Sequence, residues 1–175
     1  MNGALAEIDQ ATDELGLAGH GLKPGFVEPA RHPDDALYFS IYEHLVRQGI
    51  ALFLISGPPT PDPAFSDLGQ LAQLAWAFLQ LRIVCYHGYH PKNQQLLSVA
   101  FRYNSVLVMP DMYQYLPGSE VFLQAANGFM ADQLLFGSSY PFRQSIDDFV
   151  GLGFKASVLD KLLYDNAAQL FGLPD

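Results

Sequence analysis

Short apolar runs alternate with longer amphipathic stretches along this 175-residue chain, and this alternation restricts its possible folds more than any other feature. The clearest run, residues 50–55 (IALFLI), is apolar at every position, as in a strand that is buried on both faces. It ends in Gly57 and a proline-rich loop. Strands that are separated by single helices pair in parallel through right-handed crossovers. The sequence therefore predicts an α/β fold built on a parallel sheet.

The same pattern predicts about five strands in one domain that spans residues 1–175. The predicted strands are residues 19–27, 50–55, 81–86, 106–109 and 134–136, and the predicted helices are residues 3–15, 36–48, 65–79, 93–103, 119–132 and 160–170. Neither a repeat nor a linker interrupts this order, and the length suits a single core.

Composition and charge exclude several classes of function. Half of the residues are hydrophobic and 15% are charged, which favours a compact core over disorder. The formal net charge of −9 without a Lys/Arg cluster argues against nucleic-acid binding and against an anionic membrane surface. Cys85 is the only cysteine, so no intramolecular disulfide can form and a cytoplasmic, reducing setting is expected. Its position inside a predicted strand indicates a buried, inert thiol.

Polar side chains lie at or just after the ends of the predicted strands, where parallel α/β proteins place their sites. An imidazole there can serve as a general base or as a metal ligand near neutral pH. The candidate site residues are Lys23, Ser56, His87, Asp111, Ser139 and Arg143.

Several segments resemble one known family. Residues 136–143 (FGSSYPFR) resemble the FGSDYP segment of the amidohydrolase-related (amidohydrolase 2) proteins, which are metal-dependent hydrolases and decarboxylases. Residues 161–172 (KLLYDNAAQLFG) are similar to the closing helix of that family. Residues 82–88 (RIVCYHG) are similar to a strand of that family that ends in His-x-Gly. Residues 34–57 are similar to the family segment that precedes this strand.

The resemblance implies a partial TIM-barrel-like fold, namely strands four to eight of a (β/α)8 barrel. A complete barrel takes about 250 residues, so the part that carries the first strands and a His-x-His pair of metal ligands would lie outside this sequence. The implied activity is metal-dependent hydrolysis of a C–N or C–C bond, or decarboxylation, with Zn²⁺ or Mn²⁺ as the cofactor.

The resemblance also assigns roles to three positions. His87 matches a histidine that polarises the substrate or binds the metal. Ser56 stands where the family has a metal-binding histidine, and Ser139 stands where it has the aspartate of FGSDYP. A hydroxyl is a poor zinc ligand and does not act as a base at neutral pH unless a neighbour activates it. We therefore expect weak or absent metal binding and impaired catalysis by the isolated chain, or alternatively a non-catalytic binding or assembly subunit.

Three candidates have simpler alternatives. Lys23 could bind substrate or be a solvated lysine at a strand end. Asp111 could replace the missing carboxylate or cap a turn. Arg143 could bind a substrate carboxylate or form an ion pair with Asp147 one helical turn later.

Two further histidines leave a similar choice. His20 and His90 could join His87 in an improvised set of metal ligands. Scattered loop histidines are the alternative interpretation.

An open parallel sheet has consequences for association. Unpaired strand edges invite pairing with another chain, and an uncovered apolar face exceeds what monomers normally expose. The sequence therefore predicts a homo-oligomer, such as a dimer, or a partner chain that supplies the missing strands. A small-molecule ligand is also possible.

Overall fold

The computed structural model describes residues 2–138 and 142–173. Its centre is a four-stranded parallel sheet in which neighbouring strands follow one another in sequence. The strands are β1 (Gly19–Leu22), β2 (Ala51–Ile55), β3 (Ile83–Tyr86) and β4 (Val106–Met109). The predicted parallel α/β fold is confirmed, and the sequential order is that of a barrel wall.

Helices occupy most of the segments before, between and after the strands. They are α1 (Asn2–Asp13), α2 (Phe39–Gln48), α3 (Leu68–Ala77), α4 (Asn93–Arg102), α5 (Glu120–Asn127), α6 (Phe142–Val150), α7 (Ala156–Asp160) and α8 (Asn166–Phe171). A π-helical turn, Lys161–Asp165, joins α7 to α8. Within the described ranges, no helix is long and apolar enough to cross a membrane.

The first and fifth predicted strands are shorter in the structure than the sequence indicates. β1 ends at Leu22 because Pro24 and Gly25, with a φ of 81°, turn the chain. At the other end of the sheet, Leu134 forms only an isolated parallel bridge with Val108, and the Leu135 N–H donates to the Val108 carbonyl at 2.9 Å. The fifth strand is thus reduced to a single contact at the β4 edge.

The two faces of the sheet have different covers. Alternate residues of the strands, such as Leu54 and Cys85, pack against the helices on the outer face. Burial raises the pKa of the Cys85 thiol well above its usual range, as expected for an inert cysteine. The inner face carries a smaller apolar cluster that includes Ala51 and Val84.

Helix α8 covers part of the inner face from the amino end of the strands. Its Leu170 joins the inner cluster, and the ring of Phe171 stacks on Phe53 with centroids 6.2 Å apart. The Arg82 guanidinium, just before β3, donates to the carbonyl groups of Leu170 and Gly49. The amino end of the inner face is therefore closed by this chain, and the polar candidates lie at the carboxyl end.

Candidate functional site

A hydrogen-bonded pair of side chains connects the carboxyl ends of β3 and β4. His87 follows β3 directly, and Asp111 lies two residues after β4. Asp111 Oδ2 lies 2.6 Å from His87 Nδ1 and also accepts the His87 backbone N–H at 3.0 Å. Because a carboxylate only accepts, Nδ1 carries the proton and Nε2 remains as the basic nitrogen on the opposite side of the ring. This arrangement can orient an imidazole for proton transfer.

His87 sits in an unusual backbone turn. His87, Gly88 and Tyr89 are consecutive left-handed residues, with φ values of 67°, 60° and 52°. A left-handed conformation costs about 1–2 kcal/mol for a residue with a side chain, so the surroundings must hold His87 and Tyr89 in place. Gly88 is required for another reason: a Cβ there would lie 3.1 Å from Phe122 Cζ and 3.3 Å from Pro110 Cα.

Ser56, at the end of β2, is bonded to this same turn. Its hydroxyl donates to the Tyr86 carbonyl at 2.9 Å and accepts the Tyr89 N–H at 3.0 Å. The residue is fully buried, with 0% exposure. Ser56 therefore lies beside the proposed site, but its hydroxyl is already used by the backbone around His87.

Aromatic rings surround the His87 imidazole. The centroids of Tyr86 and Tyr113 lie 4.5 and 5.2 Å from that of His87, and His90 stacks on Tyr113 at 5.7 Å. Burial, reinforced by the Asp111 carboxylate, raises the pKa of both phenols above the usual range, so they stay protonated. Neither tyrosine was predicted from the sequence as a site residue, although Tyr113 follows Asp111 by only two residues.

Asp111 keeps one oxygen available. The carboxylate is buried, with 8% of the side chain exposed, and Oδ1 has no hydrogen-bond partner among the described residues. Asp111 is the first residue of a 3-10 helix, Asp111–Tyr115, and the hydrogen bonds of its side chain go to His87. Gly137 lies against it, since a Cβ on Gly137 would be 3.0 Å from Asp111 Cβ and 2.7 Å from Met109 Cγ. The site thus offers a basic nitrogen and an unused buried acceptor.

The remaining candidates do not join this pair. Lys23 and Arg143 are exposed, and the ion pairs of the described residues do not include one between Arg143 and Asp147. Ser139 lies outside the described residues. His20 pairs in register with Leu52 of the outer face, and burial lowers the pKa of its imidazole.

The fold and this pair define a class: a parallel α/β protein of the barrel type with an imidazole–carboxylate pair at the carboxyl ends of its strands. The chain matches the amidohydrolase family over residues 1–173 and belongs to that family. The predicted family resemblance is confirmed.

Solved structures agree with this assignment. An uncharacterised TIM-barrel protein from Bordetella bronchiseptica is 32% identical, with a TM-score of 0.90 over 97% of this chain and 62% of its own. A 2,6-dihydroxybenzoate decarboxylase from Rhizobium is 15% identical, with a TM-score of 0.75 over 98% of this chain and 68% of its own. Dihydroorotase from Campylobacter jejuni is 15% identical, with a TM-score of 0.72 over 98% of this chain and 62% of its own. The search of curated proteins finds no match.

The chain therefore spans about 62% of the Bordetella protein. At 15% identity, the decarboxylase and the dihydroorotase support the fold alone. The partial TIM-barrel-like sheet predicted from the sequence is consistent with all three.

The amidohydrolase family is generally metal-dependent. In the described part of this chain, no group of three or more His, Cys, Asp or Glu side chains is placed to hold a metal ion. His20, His87 and His90 do not form such a group. A catalytic zinc normally has about three protein ligands, and a serine hydroxyl such as that of Ser56 is a poor zinc ligand. The described residues therefore do not fit a complete metal site.

Proposed function

We propose that this chain provides the acid–base side chain of an amidohydrolase-family hydrolase or decarboxylase, with His87 as the catalytic residue and Asp111 as its partner. The observation that supports this is the 2.6 Å contact between His87 Nδ1 and Asp111 Oδ2 at the carboxyl ends of the strands. Since the chain spans about 62% of the Bordetella protein, we expect the isolated chain to act slowly.

The chemistry of the pair suits both reaction types. In hydrolysis, neutral Nε2 takes a proton from the attacking water and returns it to the leaving group. In decarboxylation, protonated Nε2 supplies the proton that replaces the departing carboxylate group on carbon. In both cases Asp111 holds Nδ1–H and stabilises the imidazolium form. Tyr86 and Tyr113, which stay protonated, can donate hydrogen bonds to a carboxylated substrate.

Substituting His87 by glutamine tests this function. The compounds to test come from three proteins with this fold: a 2,6-dihydroxybenzoate decarboxylase, a 5-carboxyvanillate decarboxylase and a probable 2-pyrone-4,6-dicarboxylic acid hydrolase. The substrates are therefore 2,6-dihydroxybenzoate, 5-carboxyvanillate and 2-pyrone-4,6-dicarboxylic acid. We expect slow turnover of at least one by the wild-type chain, measured by absorbance with and without added Zn²⁺ or Mn²⁺. His87→Gln should lower kcat by about 10²–10⁴-fold, the usual contribution of a general acid or base.

His44→Gln is the matched control. His44 on α2 also pairs with an aspartate, Asp9, at 2.6 Å, but this pair lies between α1 and α2. Turnover by His44→Gln should stay within about twofold of wild type, because the bonds of His44 go to Asp9 and Arg47 and not to His87 or Asp111. No turnover of any substrate by the wild-type chain, or equal loss in both variants, would overturn the acid–base proposal.

A second candidate function is assembly, and the open edge of β1 favours it. In the described residues β1 pairs only with β2. The Ala51 N–H donates to the Ala18 carbonyl, so the alternation along a parallel ladder turns the backbone groups of Gly19 and Gly21 away from β2. Both glycines are exposed. We propose that a strand of another chain, either a second copy or one that carries the first strands of the fold, binds at this edge.

Gly21→Pro should weaken this association because proline removes the outward N–H and leaves the ladder to β2 intact. We expect the protein concentration at which half of the complex dissociates to rise at least about fivefold, which corresponds to the loss of one hydrogen bond. Size-exclusion chromatography with light scattering over a dilution series measures it.

Gly21→Ala is the control for this edge. A Cβ on Gly21 meets nothing within 4 Å, and alanine keeps the N–H, so association should match wild type. A wild-type chain that is monomeric at every concentration, or equal behaviour of the two variants, would contradict the edge proposal.

A further inference from the structure

We propose that Ser56 is a positioning residue that holds His87 in its productive orientation by bonding the backbone on both sides of it. This inference rests on the proposed role of His87. The Ser56 hydroxyl donates to the carbonyl of Tyr86, one residue before the histidine, and accepts the N–H of Tyr89, two residues after it. One side chain from the end of β2 thus spans the turn that follows β3.

The turn needs such support. Three left-handed residues in succession are unfavourable where two of them, His87 and Tyr89, carry side chains. The Asp111 carboxylate holds His87 itself, through both its N–H and Nδ1. Ser56 holds the residues that flank it, so the imidazole is fixed from β2 and from β4 at the same time. Without the Ser56 bonds, the turn can relax toward ordinary φ values and carry His87 Nδ1 away from Asp111.

This role differs from the one that the family resemblance gives to the position. A metal ligand needs a free lone pair that faces the metal, and imidazole is preferred over a hydroxyl. The Ser56 hydroxyl directs its hydrogen to Tyr86 and one of its two lone pairs to the Tyr89 N–H, so in this fully buried position its orientation is set by the backbone. At this position the serine therefore bonds to the backbone at and just after the end of the neighbouring strand, where a histidine of the family would bind a metal.

Ser56→Ala tests this inference, with Ser66→Ala as the matched control. Ser66 is also buried and its hydroxyl accepts the Gly57 N–H at 2.7 Å, so the control loses a comparable buried bond nearby and leaves residues 86–89 untouched. The readout is the His87 Nδ1–H proton and the ¹⁵N shifts of its imidazole, measured by NMR. The resonances are assigned by their absence in His87→Gln, since the chain has five histidines.

In Ser56→Ala we expect exchange of the His87 Nδ1–H with water to be at least about tenfold faster, with a mixture of imidazole tautomers, because local opening becomes easier. In Ser66→Ala the signals should match wild type. Wild-type exchange and tautomer in Ser56→Ala, or equal changes in both variants, would overturn the inference.

If Ser56→Ala does not fold, Ser56→Cys takes its place, since a thiol leaves no cavity at this position and hydrogen bonds only weakly. Accelerated exchange in Ser56→Cys supports the inference, and wild-type exchange overturns it. The NMR readout needs no substrate, so its outcome stands apart from the turnover test of His87. A chain without turnover can still show that Ser56 positions His87, and an active chain can still show that it does not.

Discussion

Asp111→Ala is expected to lower the free energy of unfolding by about 2–5 kcal/mol, because each buried donor that is left without an acceptor costs about 1–3 kcal/mol. Asp111 Oδ2 accepts from both the backbone N–H and Nδ1 of His87, and only 8% of the Asp111 side chain is exposed. Alanine would leave two donors without an acceptor in a turn that is already strained. Urea denaturation followed by circular dichroism measures the change.

Asp111→Asn separates the hydrogen bonds from the charge. The amide oxygen can occupy the Oδ2 position and accept both bonds, so the cost should be smaller than for alanine, at about 1–1.5 kcal/mol. Equal stability of Asp111→Ala and wild type would show that the carboxylate does not hold the turn.

Gly88→Ala is the second substitution with a large expected effect, a loss of about 2–5 kcal/mol from backbone strain and overpacking together. The residue has a φ of 60°, and an added Cβ would lie 3.1 Å from Phe122 Cζ and 3.3 Å from Pro110 Cα. The Pro110 Cα is a backbone atom, so it cannot move aside by a side-chain rotation. The same denaturation experiment measures the loss, and the His87 imidazole spectrum should change with it.

Gly16→Ala isolates the part of this cost that comes from the backbone alone. Gly16 has a similar φ of 66°, but a Cβ there meets nothing within 4 Å. We expect a loss of about 1–2 kcal/mol. If Gly88→Ala cost no more than Gly16→Ala, the contact of Gly88 with Phe122 and Pro110 would have no energetic weight.

The regular part of the fold is readable in the sequence because burial on both faces leaves a continuous apolar run. Residues 50–55 and 106–109 were predicted as strands, and the structure has Ala51–Ile55 and Val106–Met109. The end of the sheet was less predictable. Residues 134–136 have the same apolar character, yet only Leu134 bridges to β4, because pairing depends on neighbours that a local pattern does not show.

The site was predictable in its residue types and less so in its contacts. His87 and Asp111 were both singled out, since each follows a strand, but their hydrogen bond joins positions on neighbouring loops. The left-handed turn was hidden because His87 and Tyr89 are not glycines, the residues that normally signal positive φ. The two backbone bonds of Ser56 were hidden for a related reason: a serine after a strand has many possible partners.

The position of α8 also bears on the order in which this protein is made. Leu170 and Phe171 pack against Ala51 and Phe53, so a segment that the ribosome produces late covers strands that it produces early. Contacts between such distant segments form slowly, because a long loop must close first. Until then the growing chain has β1 to β4 with an uncovered apolar side. During synthesis, that apolar side therefore stays exposed until Leu170 and Phe171 have been made and can cover it.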